Sequence, residues 1–181
     1  MPWQKLGSRT VFENPWIAVT EDHVINPGGG ENQYGVVHFK NIAVAIVPLD
    51  DDGNTWLVGQ DRYTLDQYSW EIPMGGAPRH ELPLDAAKRE LKEETGLTAS
   101  GWTELMRLHI SNSITDEQGI VFVATDVQEG EPEFDETEDI EIRKMPLADA
   151  LAMIFRGEIT DAITVAGLLR LAVELKVQKA D

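Results

Sequence analysis

Apolar residues in this chain come mostly in short runs bounded by Gly, Pro, Asn or Asp, the pattern of a strand-rich fold. Residues 17–24 read as a strand, Pro27-Gly28-Gly29-Gly30 as a loop, and residues 36–39 as the return strand. The run IAVAIVPL at 42–49 is a buried strand by composition, and Asp50-Asp51-Asp52-Gly53-Asn54 after it reads as a hairpin turn into a strand over 55–60. Further strands are expected at 102–110, 120–125 and 140–144, and helices at 147–155 and from about 161 to 176. Between these groups Leu84, Ala87 and Leu91 recur at helical spacing, and Gly96 directly after Thr95 supplies a helix stop. Strands surrounding a few helices, with no regular strand-helix-strand repeat, predict an α/β protein with a mixed sheet between helices.

With 181 residues and 42% apolar content the chain can bury one catalytic domain with a small appendage. Its net charge of −17 argues against nucleic acid held by the phosphate backbone, which draws its affinity from Lys and Arg. The absence of cysteine excludes disulfides, thiolate zinc sites and thiol nucleophiles. The N-terminus has no apolar signal core and no run is long enough to span a membrane, so a cytoplasmic location is expected.

The helix predicted over 84–95 carries the chemistry. Glu90, Glu93 and Glu94 fall together on a face beside the apolar one, while Lys88 and Lys92 lie away from it. Carboxylates at such spacing repel by about 0.2–0.5 kcal/mol per pair even in water. Arg89 can take part of that charge, but one guanidinium cannot balance Glu81, Glu90, Glu93 and Glu94. A hard divalent cation can, and clustered carboxylate oxygens select Mg²⁺ or Mn²⁺. The other reading of the helix alone is a solvated acidic face. The Asp50-to-Asn54 run has its glycine misplaced for a calcium loop, Gly28-Gly29-Gly30 lacks the Lys-Ser or Lys-Thr of a phosphate loop, and His23, His38, His80 and His109 show no ligand spacing.

From Gly75 to Leu97 the chain reads G-x5-E-x7-R-E-L-x-E-E-x-G-L. This spacing resembles the signature of the Nudix hydrolases. Gln60-Asp61-Arg62-Tyr63, Trp70-Glu71-Ile72-Pro73-Met74-Gly75, Glu136-Thr137-Glu138-Asp139-Ile140 and Gly157-Glu158-Ile159-Thr160-Asp161-Ala162 extend the likeness toward the branch with ADP-ribose pyrophosphatases and nucleoside diphosphate sugar hydrolases. The resemblance implies a Nudix α/β/α sandwich with a mixed sheet over 40–181, preceded by a β segment over 1–39 that joins a homodimer. It implies Mg²⁺-dependent hydrolysis of the diphosphate of a nucleoside diphosphate sugar, with Mn²⁺ possible. The metal ligands it implies are Glu90, Glu93, Glu94 and the Met74 carbonyl, with Arg89 and Glu81 orienting them.

The general base of this branch lies in a loop after the box, where Glu136 matches best and Glu138 second. Arg62 matches a residue gripping the diphosphate or distal phosphate, against a plain pairing with Asp61 or Asp66. Trp16 matches a nucleobase-stacking aromatic, against a buried core tryptophan. Two departures stand out: residues 111–117 read SNSITDE, without the proline common at that turn, and His80 replaces a common glycine. The alternatives are hydrolysis of dinucleotides such as NADH or dinucleoside polyphosphates, and a Nudix-fold module that binds nucleotide sugars without catalysis.

Overall fold

The computed structural model describes residues 1–134 and 139–178. The chain opens with three strands, β1 (Gln4–Glu13), β2 (Ile17–Ile25) and β3 (Glu31–Phe39), forming an antiparallel sheet of their own in the order β1-β2-β3. The β2–β3 turn is the glycine loop expected there. The Asn26 side-chain oxygen accepts the N–H groups of Gly28 and Gly30 at 2.9 and 3.2 Å, and Gly29 takes φ 89°. The sequence pattern gave no sign of β1, because every one of its residues is exposed and no alternation marks a face. Its register along β2 defines it.

Then follow β4 (Asn41–Pro48), β5 (Asn54–Arg62), β6 (Gln67–Glu71), β7 (Met74–Pro78), α1 (Pro83–Thr95), β8 (Thr98–His109), β9 (Gln118–Gln128), β10 (Glu141–Pro146), α2 (Leu147–Arg156) and α3 (Ala162–Gln178). A mixed sheet runs β7-β4-β9-β8, with β4 and β9 parallel and the outer pairs antiparallel. An antiparallel sheet, β10-β5-β6, stands beside it.

The turn after β4 forms as expected: the Asp50 carboxylate accepts the Asn54 N–H at 2.7 Å and the Asn54 side-chain amide at 3.0 Å. Burial opposes ionisation of Asp50, yet these bonds outweigh it and hold its pKa at about 2. The turn does not make a hairpin, however. Both edges of β4 are already taken by β7 and β9, so β5 pairs instead with β10 and β6.

Side-chain alternation along β4 builds two cores, one on each side. Val44 and Ile46 pack with Ala86, Ala87 and Leu91 of α1, whereas Ala45 and Val47 pack with Ala150 and Met153 of α2 and Ile163, Leu168 and Leu171 of α3. The layers are therefore helix, sheet, helix. The Ile72 N–H donates to the Thr164 hydroxyl at 3.1 Å, tying the first turn of α3 to the segment that enters β7. Among the described residues no helix is long and apolar enough to cross a membrane.

Candidate active site

Helix α1 starts with Pro83, whose fixed φ suits the first turn, and stops at Gly96, which takes φ 72° and donates its N–H to the Lys92 carbonyl. Of the face read from the spacing, Ala87 and Leu91 are fully buried and Leu84 half-buried, Ala86 joins them in the core, and Lys88 and Lys92 stay exposed. The acidic face lies against β7. A Cβ built on Gly75 would stand 2.1–2.3 Å from the Glu90 carboxyl atoms, so a side chain there would displace that carboxylate from its place against β7. Glu94, 4% exposed, accepts the Met74 N–H at 2.9 Å.

Arg89 gathers the rest of the acidic residues. Its Nη1 donates to Glu90 Oε1 at 2.7 Å and Glu93 Oε2 at 2.9 Å, and its Nη2 to Glu81 Oε2 and the Gly76 carbonyl, both at 3.2 Å. Burial works against the guanidinium charge, but these carboxylates outweigh it and lift the Arg89 pKa above its ordinary range. Among the described residues no group of three or more acidic or histidine side chains is arranged as a metal site, and the box carboxylates are engaged instead with Arg89 and the Met74 amide. The donor set is nevertheless all hard oxygen, and the Gly75 cradle keeps Glu90 close to the Met74 strand; both features fit a hard divalent cation.

Beside this helix lies a cleft of about 480 Å³ lined by Phe39, Arg62, Glu71, Met74, Glu117 and Asp161 among others. Arg62 stands at the end of β5 and Glu71 at the end of β6. Arg62 Nε donates to Glu71 Oε1 at 2.8 Å and Nη2 donates to Oε2, a two-point pairing with a carboxylate that is only 4% exposed. The hydrogen bonds to Glu71 raise the Arg62 pKa despite burial. The expected alternative partners, Asp61 and Asp66, are not the ones used: Arg62 pairs with Gln67 and Glu71 with Val58 across β5–β6, and the long guanidinium side chain reaches along the strands to the Glu71 carboxylate. Burial, and then the nearby Asp161, push the Glu117 carboxyl up. Asp161 itself caps α3, accepting the Thr164 N–H at 2.7 Å.

Met74, Glu90, Glu93, Glu94 and Arg89 are thus brought together, with Arg62 across the cleft. Trp16 is not part of that cleft and is not a core residue either. It is 67% exposed in a turn where the Asn14 side chain accepts the N–H groups of Trp16 and Ile17 at 2.9 and 2.8 Å. Glu136 and Glu138 lie outside the described residues. Sequence reasoning gave no role to Glu71, Glu117, Asp161 or Phe39. The one local signal was Glu71, a carboxylate set between Trp70 and Ile72 in an apolar run.

Residues 39–166 match the family model for the NUDIX domain, and residues 3–37 match the nucleoside diphosphate sugar hydrolase N-terminal domain. The ADP-ribose pyrophosphatase of Mycobacterium tuberculosis is 40% identical over 92% of this chain and 82% of its own length. That of Bacillus subtilis is 33% identical over 96% of both chains. Among solved structures, an ADP compounds hydrolase superposes with a TM-score of 0.87 at 26% identity, covering 97% of this chain and 95% of that one.

Proposed function

The chain belongs to the Nudix family, and from that membership and the cleft beside the box helix we infer a pyrophosphohydrolase that cleaves the diphosphate of a nucleoside diphosphate sugar of the ADP-ribose type. The products are a nucleoside monophosphate and a sugar phosphate. The observation that carries the reading is Arg62, a half-buried cation fixed by Glu71 in a cleft that also contains Met74 of the box.

Hydrolysis needs a water placed in line with one phosphorus and relief of the charge growing on the bridging oxygen. A divalent cation held by Glu90, Glu93, Glu94 and the Met74 carbonyl, with Mg²⁺ proposed and Mn²⁺ as the substitute, supplies Lewis-acid stabilisation and lowers the pKa of water. The chain's own residues do the holding. Arg89 and Glu81 keep the box carboxylates in register. Arg62 matches the planar, two-point geometry of phosphate oxygens, and Glu71 fixes the guanidinium before substrate arrives. Glu117, with its raised pKa, offers a carboxyl group to sugar hydroxyls. The proposed general base is Glu136, with Glu138 the second candidate, beyond the described residues.

A homodimer belongs to this reading. Trp3, Leu6, Val11 and Phe12 of the N-terminal segment are each about half exposed, more apolar surface than one sheet leaves in water without a partner, and this is the stretch that matches the N-terminal domain model. Trp16, exposed in the turn between β1 and β2, would then serve the nucleobase pocket of the partner copy.

The test is phosphate release after phosphatase coupling on ADP-ribose, GDP-mannose, UDP-glucose, NADH and a dinucleoside polyphosphate, with Mg²⁺ and with EDTA. Turnover concentrated in ADP-ribose or another nucleotide sugar and abolished by EDTA is expected, with Glu90→Gln at least about a hundredfold slower in kcat. Unaltered turnover by Glu90→Gln, or a preference for the dinucleotides, would overturn the assignment.

A further inference from the structure

The segment 111–117, between β8 and β9, lacks a stiffening proline and is held from outside by β3. Val37 N–H donates to the Ile114 carbonyl at 2.9 Å and Asp116 N–H to the Val37 carbonyl at 3.2 Å, making a short parallel bridge between Val37 and Thr115. Tyr34 donates its hydroxyl to the Ser113 carbonyl at 2.5 Å. The Asp116 carboxylate then closes the connection. Its Oδ1 accepts the Phe39 N–H at 3.0 Å, and its Oδ2 lies 2.6 Å from Nδ1 of His38, whose Nε2 is 3.1 Å from the Thr20 hydroxyl.

The next residue on each side of this junction lines the cleft: Phe39 follows His38, and Glu117 follows Asp116. The His38 and Asp116 side chains are 35% and 42% exposed, so a pair of this kind adds little to overall stability. Its geometry is nonetheless specific, linking a residue of the N-terminal sheet to one of the segment between β8 and β9, each one position away from the cleft wall. We propose that His38 and Asp116 are a positioning pair that latches segment 111–117 to the N-terminal sheet and so fixes Phe39 and Glu117 in the cleft that Arg62 also lines.

Neither residue touches substrate. The latch does for this chain what a proline does in a rigid turn, and it makes the N-terminal sheet part of the substrate site without a residue of that sheet before Phe39 entering the cleft. The inference rests on the cleft being the nucleotide-sugar site. Because displacing a cleft residue by about 1 Å can cost up to about a hundredfold, loss of the pair is expected mainly in substrate binding.

The experiment compares wild type, His38→Ala, Asp116→Ala, the double variant and Asp116→Asn. Each alanine variant should raise KM for ADP-ribose about tenfold with kcat within about twofold, and the double variant should be no worse than the worse single. Asp116→Asn keeps an acceptor for the Phe39 N–H and a donor for His38 Nδ1, and should recover most of the KM. Amide hydrogen exchange over 111–117, measured without substrate, should quicken in both alanine variants. Unchanged exchange and KM overturn the latch, and so does a parallel fall of kcat and melting temperature, which marks a merely structural pair. If the wild type hydrolyses no nucleotide sugar, the functional reading fails, and the exchange result decides the latch by itself.

Discussion

Glu117 shows at the residue scale how the site opposes its own fold. Burial, reinforced by Asp161, raises its pKa above its ordinary value. The folded chain therefore holds that proton more tightly than the unfolded chain does. Stability from this group is complete below the ordinary carboxyl range and is lost as pH rises through the raised value. Glu117→Gln, neutral at every pH, should melt about 2 °C above wild type at pH 8 and level with it at pH 4, while KM for ADP-ribose rises. A lower melting temperature at pH 8 would contradict the account. Residues of this kind were the least legible in the sequence. Arg89 and the box glutamates announce themselves because one helix fixes their spacing. Glu71, Glu117 and Asp161 come from three separate segments, and their meeting in one cleft is a tertiary fact with no local period. Trp16 is the opposite case: of its two readings, nucleobase stacking and a core tryptophan, the Asn14 turn removes the second by leaving it exposed.

At the scale of elements, those with an apolar face were legible to within a few residues. Helix α1 and strands β2, β4, β9 and β10 follow from periodicity and from glycine or proline at their ends. β1 was not, being exposed throughout, and β6 and β7 are five residues each. β7 reads Met-Gly-Gly-Ala-Pro, a poor strand by propensity that forms because β4 offers its edge and Glu90 needs the space above Gly75. Helix α1 ends where the chain has least freedom to change. Gly96 combines φ 72° with backbone crowding, since a Cβ there would lie 2.3 Å from the Gly130 carbonyl oxygen and 2.7 Å from the Glu131 carbonyl carbon. Gly96→Ala should cost about 1–3 kcal/mol in urea unfolding and also lower kcat by disturbing the end of the box helix. A loss under about 0.5 kcal/mol would mean that segment 130–131 simply yields.

For the whole molecule, the balance of 32 acidic against 15 basic residues makes two copies repel, so the proposed homodimer would have to draw on apolar surface of the N-terminal sheet. Sedimentation should give twice the 20.2 kDa chain mass, and Phe12→Asp should shift the population to single chains with loss of activity. A wild-type monomer with full turnover would remove the dimer from the mechanism. The connectivity has a further effect. The cleft draws on Phe39, on Arg62 and Glu71 from a sheet of their own, on Glu117 and on Asp161 near the C-terminal helix, so its walls close only after contacts between distant parts of the chain are made. Such contacts form slowly relative to local ones. A chain emerging during synthesis therefore carries the box residues long before it carries a place to put a substrate, since α1 itself packs on Ile120 and Phe122 of the later β9 and the cleft needs Asp161 beside α3.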